Sequence, residues 1–390
     1  MHVSLFFALL AWAIAFLWMW RTQVALTNLP KLPDLSRIPV PDSQHFVSVI
    51  VPARNEQQAI EQTLRSLLAQ QGVSVDIIAV NDRSTDATGA IMDRVAAEAS
   101  TQGKSIRVIH IKELPAGWMG KTHAMALAAR QAEAPWLLFT DADVVFREDC
   151  LRRALGYAES QADHLVLFPT LLFKNFGERM MLSAIQALTF LTWRPWKIAD
   201  PKSRESIGVG AFNLVRSNVY RSIGGFEALK LEVLEDLRFG YLIKQGGFRQ
   251  RVVFGRDLTR IHWVAGAIGI VNNLTKNIFA VFRFKVWQLV GAAIGLGVFC
   301  FVPLAACFIP GGTRLAALFA VVSAAVLYSY IGRKMTGIAT VYVLTFPVAA
   351  CLIVYALVRS MLLTLVRGGV VWRGTFYPLA ELRRQAGPLR

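Results

Sequence analysis

Asp141-Ala142-Asp143 puts two carboxylates two residues apart, where the apolar run Trp136-Leu137-Leu138-Phe139 gives way at Thr140. An uncharged strand that ends this way holds both acids at its exit, on the rim of a buried sheet, and such rims are where open α/β sheets bind ligands. Two hard oxygen ligands there suit Mg²⁺ or Mn²⁺, and the ion would in turn grip a diphosphate. Taken alone, an Asp-x-Asp triplet more often marks a solvated turn or a helix cap.

Other stretches carry polar groups at comparable positions. Val47–Val51 is followed by Pro52-Ala53-Arg54-Asn55-Glu56, a strand-to-helix turn on which a nucleotide can rest. The second apolar run ends in Asn81-Asp82-Arg83-Ser84-Thr85-Asp86. Asp82 follows that run almost directly, so its carboxylate can reach the same rim and accept a hydrogen bond from a base, whereas Asp86 reads as a helix N-cap. Gly117-Trp118-Met119-Gly120-Lys121 leads into a helical pattern; its glycines permit close backbone approach, and Lys121 in the first turn can meet a phosphate. Further on come Gly208–Asn213, then Gly224-Gly225-Phe226, then Glu235-Asp236 opening another helical pattern. An acidic pair there ordinarily compensates the helix dipole; its other use is as a general base.

These residues must be held by the elements between them. Strands are expected at 47–51, 75–80, 106–111 and 136–140, and helices at 56–70, 86–99 and 121–132. Strands separated by helices of this length argue for a parallel sheet covered on both faces. The chain as a whole has 390 residues, is 54% hydrophobic and carries a formal net charge of +16. A mean hydropathy of +0.43 is too apolar for an ordinary soluble protein, so membrane segments are expected. The basic balance suits an anionic leaflet and an anionic substrate; with no recognised nucleic-acid motif and no unbroken basic tract, nucleic acid is not expected as a partner. The four cysteines form no Cys-x-x-Cys pair, which points away from a zinc site or a disulfide framework.

Residues 1–21 read as an N-terminal membrane anchor, since Val3–Trp20 is uncharged and basic residues follow rather than precede it. That polarity puts the next domain in the cytoplasm, at the inner face of a cell membrane. Prolines at 30, 33, 39 and 41 give residues 22–46 the character of an extended linker. A catalytic domain is expected over 47–270, with an interfacial helix near 176–198 where Trp193 and Trp196 flank Arg194. An interfacial segment over 271–287, membrane helices over 288–366 and a basic tail over 367–390 complete the order. Four crossings from an outside N-terminus would place this tail outside, against the arginines at 359, 367, 373, 383, 384 and 390. A re-entrant or interfacial last segment, with Pro347 as its breaker, would resolve the conflict.

The motifs, in this order, resemble those of the family 2 inverting glycosyltransferases of the GT-A type: VSVIVPARNE from Val47, VNDRSTD from Val80, the Lys121 helix, DAD from Asp141, GGF from Gly224 and ED from Glu235. The GWMGK turn, the single N-terminal anchor and the apolar C-terminal third look most like its membrane-bound branch, which includes hopanoid-associated, carotenoid and ceramide glycosyltransferases. The tail Trp372-Arg373-Gly374-Thr375-Phe376-Tyr377 is similar to an element of that branch.

The resemblance implies an α/β GT-A nucleotide-sugar-binding, Rossmann-like domain with a mostly parallel sheet, plus one N-terminal and about three C-terminal membrane helices. It implies that Asp82 binds the base, with Pro52, Arg54 and Glu56 lining its pocket, and that Lys121 sits near the diphosphate. Asp141 would contact the ribose or the metal-bound nucleotide, Asp143 would ligate Mg²⁺ or Mn²⁺, and Asp236 beside Glu235 would be the general base. His262 would match a metal-ligating histidine of some GT-A enzymes; a lone His before Trp263 is otherwise more often structural.

The expected activity is single-sugar transfer from a nucleotide-sugar, a UDP-sugar by preference, to a membrane lipid hydroxyl. The stretch Val271–Asn277 lacks the Gln-x-x-Arg-Trp element of processive polysaccharide synthases, which points away from a polymer product. Two alternatives stand beside this reading: a polyprenyl-phosphate glycosyltransferase, and a non-enzymatic nucleotide-binding membrane protein. The second is disfavoured because Leu289–Ile309 and Leu315–Ile331 hold no ionisable acid, base or His for a transport path.

Overall fold

A computed structural model describes residues 2–39 and 44–389. The chain divides into two compact units. One comprises Leu32–Leu172, Lys197–His262 and Arg384–Arg390; the other comprises Met1–Lys31, Phe173–Trp196 and Trp263–Arg383.

In the first unit the strands are β1 (Phe46–Ala53), β2 (Ser74–Asp82), β3 (Ile106–Ile111), β4 (Trp136–Phe139), β5 (Val144–Phe146), β6 (His164–Phe168), β7 (Thr170–Leu171), β8 (Asn213–Arg216), β9 (Gln250–Phe254) and β10 (Thr259–Ile261). Its helices are α2 (Ile60–Leu68), α3 (Thr88–Thr101), α4 (Gly120–Arg130), α5 (Cys150–Gln161), α7 (Ser217–Ser222) and α8 (Glu235–Gln245). The second unit holds α1 (His2–Asn28), α6 (Phe176–Thr192), α9 (Gly266–Val281), α10 (Val286–Ala306), α11 (Gly312–Ile331), α12 (Phe346–Arg367), the hairpin β11 (Gly369–Trp372) and β12 (Thr375–Pro378), and α13 (Leu379–Gln385).

The main sheet has seven strands in the order β3-β2-β1-β4-β8-β6-β9. β8 runs antiparallel to both its neighbours, and every other pairing is parallel. The alternation expected over residues 47–140 is present, with β3 spanning the expected residues. Both faces are covered. Val47, Val49 and Val51 of β1 pack with Ile60 and Leu64 of α2, while Ile50 packs with Ala124 and Ala128 of α4 on the other face. From β1 the chain steps outward through β2 to β3 and then returns to β4 on the far side of β1. The carboxyl ends of β1 and β4 therefore flank a topological switch point, the position at which open α/β sheets bind ligands. Pro52 is tolerated in central β1 because the pairing with β4 stops at Ile50↔Phe139, two residues earlier.

Two boundaries differ from the sequence reading. Helix α1 continues to Asn28, because Val24, Ala25 and Leu26 carry on the apolar pattern that Pro30 then ends. Residues 22–46 are not a free linker where described: Leu35 is fully buried, its N–H donates to Phe254 O at 2.8 Å, and Arg153 Nη1 donates to the carbonyls of Leu35 and Ile38. Residues 40–43 of that stretch lie outside the described residues. Residues 173–196 and 263–270, expected within the catalytic domain, group with the helical unit.

Among the described residues of that unit, four helical segments are long and apolar enough to cross a membrane: Leu5–Lys31, Val286–Ala306, Gly312–Thr336 and Thr340–Arg367. Pro347 does not break the last of them. It occupies the first turn of α12, where its missing N–H would have had no helical partner. Helix α6 buries Met181, Ala184, Ala187 and Phe190 against neighbouring helices of the unit, so it is a core helix of that unit. Its start is tied to that of α9 through buried Glu178, which accepts from Lys174 N at 2.6 Å and from Gly266 N at 2.9 Å. The hairpin turns at Arg373 and Gly374, both with positive φ, the backbone of a two-residue type I′ connection.

Candidate active site

Two of the acidic residues that the sequence singles out, Asp141 and Asp236, meet around one glycine. Asp141 leaves β4 with its N–H donating to Gly210 O at 3.0 Å, and Gly210 N donates to Asp236 Oδ2 at 3.2 Å. A side chain at position 210 would not fit, since a Cβ there would stand 2.5 Å from Asp141 Oδ2. Neighbouring glycines make the approach possible. A Cβ on Gly208 would fall 1.8 Å from Asp236 O, and one on Gly240 would fall 1.9 Å from Ile207 O. The loop from Ile207 to Gly210 thus lies directly on the first turns of α8, which a residue with any side chain would prevent.

Lys121, in the first turn of α4, bridges two of the acids, with Nζ at 2.7 Å from Asp141 Oδ1 and at 2.7 Å from Glu235 Oε1. A concavity at this place is lined by Lys121, Thr140, Gly210, Asn213, Glu235 and Asp236 over an apolar floor of Met125, Phe139 and Phe226. Burial, reinforced by the Glu235 carboxylate, pushes the Asp236 carboxyl up to about 7. Burial works against the Lys121 charge, but Asp141, Glu235 and Asp236 outweigh it and raise the ammonium above its ordinary value. Asp143 is pushed up to about 7 by burial, with Asp141 and Glu56 adding repulsion. Asp141, Asp143 and Glu56 therefore share one electrostatic neighbourhood, which gathers the ends of β1 and β4.

Asp82 is elsewhere on the rim. It is buried against the start of α4, where a Cβ on Gly120 would fall 2.1 Å from its Oδ2. Arg83 holds both of its oxygens, at 2.7 and 3.1 Å. The turns after β1 and β2 are stitched together: Asn55 N donates to Ser84 Oγ at 3.0 Å, Thr85 N to Asn55 Oδ1 at 2.8 Å, and Glu56 N to Thr88 Oγ1 at 2.8 Å. Asn55 and Arg83 both adopt positive φ in these turns. Asp86 accepts from Thr88 N at 3.0 Å and from Gln57 N at 3.3 Å, the helix-start role expected of it, one residue before the capping position.

Ile261, the residue before His262, pairs with Val144, the residue after Asp143, where β10 runs antiparallel to β5. Among the described residues, however, no three His, Cys, Asp or Glu side chains are gathered closely enough to form a metal cage. Two features of the site escaped the sequence reading. The Gly208–Asn213 stretch was noted without a role, although Gly210 links the two acids. His164 and Gln250, fully buried behind that loop, are not singled out by the sequence; the available signal is a polar residue at the first position of a mainly apolar strand.

Residues 48–224 match the profile of glycosyl transferase family 2. The 4,4'-diaponeurosporenoate glycosyltransferase of Staphylococcus aureus strain MRSA252 is 28% identical over 198 residues, 50% of this chain and 50% of that one. The enzyme of strain USA300 matches to the same extent, so the matched stretch spans about half the length of these curated relatives. Among solved structures, a mannosyltransferase from Pyrobaculum calidifontis in complex with GDP-Man and Mn²⁺ superposes with a TM-score of 0.51 at 18% identity, covering 92% of this chain and 99% of that one. That likeness carries the fold, a GT-A-type α/β domain in a chain that also has apolar helices. Residues 48–224 of this chain are a glycosyl transferase family 2 domain.

Proposed function

We propose that this protein transfers one sugar from a nucleotide-sugar to the hydroxyl of a membrane lipid, inverting the anomeric carbon in a single displacement. The observation that carries the reading is the convergence of Asp141 and Asp236 on Gly210, with Lys121 paired to Asp141 and Glu235 beside them. In this reading Asp236 takes the proton from the attacking hydroxyl. A carboxyl raised to about 7 is a stronger base than an ordinary one and is still ionised in useful amounts near neutrality. A hydroxyl acceptor needs such a base, whereas a polyprenyl phosphate arrives already ionised, which favours the hydroxyl. Glu235 and Asp141 hold Lys121 beside the place where leaving-group charge grows, and Lys121 is the one cation whose ion pairs reach both acids.

The donor set also fits a divalent cation. Asp143 and Asp141 repel each other and Glu56, and two carboxylates are enough where substrate phosphates complete the coordination of Mg²⁺ or Mn²⁺. Asp143 and Asp141 would hold the ion, with His262 as the candidate third ligand. Bound there, it would neutralise charge on the departing nucleoside diphosphate. Pro52, Arg54, Glu56 and Asp82 border the place proposed for the nucleoside, with Asp82 as the acceptor for the base. The carotenoid glycosyltransferase relatives support a lipid acceptor, the apolar helical segments support a membrane setting, and the basic residues that follow the first segment support a catalytic domain on the cytoplasmic side.

The test is incubation of membranes carrying the protein with labelled UDP- and GDP-sugars, followed by mass analysis of the lipid extract. A single-hexose adduct on a hydroxyl lipid, lost in Asp236→Asn, is expected. Transfer only to a phosphate lipid, unaffected by Asp236→Asn, would replace this reading with the polyprenyl-phosphate one.

A further inference from the structure

Behind the candidate site lies a buried polar chain whose front member, Asn213, also lines the concavity. His164 on β6, Asn213 on β8 and Gln250 on β9 are 0%, 2% and 1% exposed. Gln250 Oε1 accepts from Ile207 N at 3.0 Å and its Nε2 donates to Ile207 O at 3.0 Å, so the side-chain amide closes a two-way bridge with one backbone residue. The same Nε2 lies 3.1 Å from Gly240 O on α8 and 2.9 Å from His164 Nδ1. An amide nitrogen only donates, so Nδ1 accepts and the imidazole proton sits on Nε2. That proton is donated to Asn213 Oδ1 at 3.2 Å, and Asn213 Oδ1 also accepts from Val209 N at 3.2 Å. The two Nε2 hydrogens of Gln250 are shared among three acceptors, and the Val209 N–H, which can only donate, fixes Asn213 Oδ1 as the acceptor of the His164 Nε2 proton.

The chain grips the loop at Ile207 and at Val209, the two residues that flank Gly208. The next residue, Gly210, gives its N–H to Asp236 and its carbonyl to the N–H of Asp141. Gln250 simultaneously touches α8 at Gly240, one turn beyond Asp236. Strands of the sheet, the glycine loop and the helix bearing the acid are thus coupled through three side chains. Three buried polar residues in a sheet core are costly unless they are fully partnered, and hydrophobic residues would pack there without that demand.

We propose that His164 and Gln250 are positioning residues that set the Ile207–Gly210 backbone, and through Gly210 the place of the Asp236 carboxylate relative to Asp141. The inference rests on the reading of Asp236 as the base. His164 acts as a neutral hydrogen-bond relay and takes no part in proton transfer to substrate. Displacing a reacting group by about 1 Å lowers a rate by about 100-fold while leaving donor contacts in place.

The experiment compares Gln250→Leu, His164→Phe and Asp236→Asn in the full-length membrane protein. Transfer is followed from whichever of UDP-glucose, UDP-N-acetylglucosamine and GDP-mannose labels the lipid extract, and hydrogen–deuterium exchange is measured across 206–212. Both relay variants are expected to lose about 10- to 100-fold in kcat with donor KM within about threefold. Exchange at 206–212 should quicken about tenfold or more while β1 to β3 keep their protection. The exchange result needs no donor, and His164→Phe keeps the ring volume should Gln250→Leu fail to fold. Unchanged exchange, or losses in kcat and KM together with lowered protection throughout the sheet, would overturn the proposal. Normal kcat in the relay variants beside an inactive Asp236→Asn would overturn it and leave the base intact. An active Asp236→Asn would remove the base reading and this inference with it.

Discussion

The backbone N–H of Gly210 donates to the Asp236 carboxylate at 3.2 Å, while the carbonyl of Gly210 accepts from the N–H of Asp141 at 3.0 Å. Residue 210 thereby joins the exit of β4 to the start of α8 by backbone hydrogen bonds on both sides. Two acids separated by 95 positions in the chain are set at one place by a peptide unit rather than by each other.

Gly210→Ala tests that arrangement. A Cβ would stand 2.5 Å from Asp141 Oδ2 and 3.1 Å from its Cγ, so the carboxylate must move. We expect transfer to fall about 100-fold and stability to fall by about 1–3 kcal/mol, as for other overpacked sites. A steady-state assay beside a thermal melt measures both, and wild-type kcat would show that Asp141 has room to relax.

Asp236 should make rate and stability respond to pH in opposite senses. Burial and Glu235 raise its carboxyl from the ordinary 3.8 to about 7. Below the unfolded value both states are protonated and nothing is lost. Between that value and about 7 the unfolded chain ionises first, so stability falls as pH rises through this window. The rate should rise across the same window as the base form accumulates. Asp143, also raised to about 7, contributes in the same window, so in Asp236→Asn the pH dependence of the melting temperature should shrink rather than vanish, and a slope unchanged from wild type would remove Asp236 as a contributor.

Lys121→Met removes the cation from between Asp141 and Glu235. The expected loss is at least about tenfold in kcat, since leaving-group charge is then uncompensated. Stability should fall by about 1–3 kcal/mol, less than for a fully buried pair, because the Lys121 and Asp141 side chains remain 30% and 33% exposed. Isothermal titration of UDP into the variant separates the two effects: an unchanged Kd with a low kcat supports a role in the displacement step.

Divalent cation dependence is expected to run through Asp143. EDTA should abolish transfer, and Mn²⁺ or Mg²⁺ should restore it in the wild type. Asp143→Ala should weaken Mn²⁺-dependent UDP binding by about 10- to 100-fold. Metal-dependent UDP binding that survives the double change Asp141→Ala with Asp143→Ala would move the ion to other residues.

The sequence by itself determined the elements and the chemistry they carry. Apolar runs bounded by helical spacing were sufficient for β1 to β4 and the helices between them, because a strand buried on both faces must be uncharged whatever it pairs with. Asp141, Lys121 and Asp236 were visible for the same local reason: charged side chains at the ends of such elements have nowhere to go but the rim. The apolar segments were visible because length and hydropathy are properties of the chain alone.

Tertiary structure decided what those residues do to one another. Sheet order placed β8 antiparallel beside β4, and only that pairing brings Asn213, and with it Gly210, alongside the exit of Asp141. Partner choice also decided that Arg83 occupies Asp82 and that α6 is a core helix of its unit. Position within a helix decided that Pro347 starts α12 instead of interrupting it. His164 and Gln250 were illegible beforehand because a buried polar side chain announces only that it needs partners. Which backbone it holds depends on contacts 43 and 86 residues away, and these exist only once the sheet has closed around them.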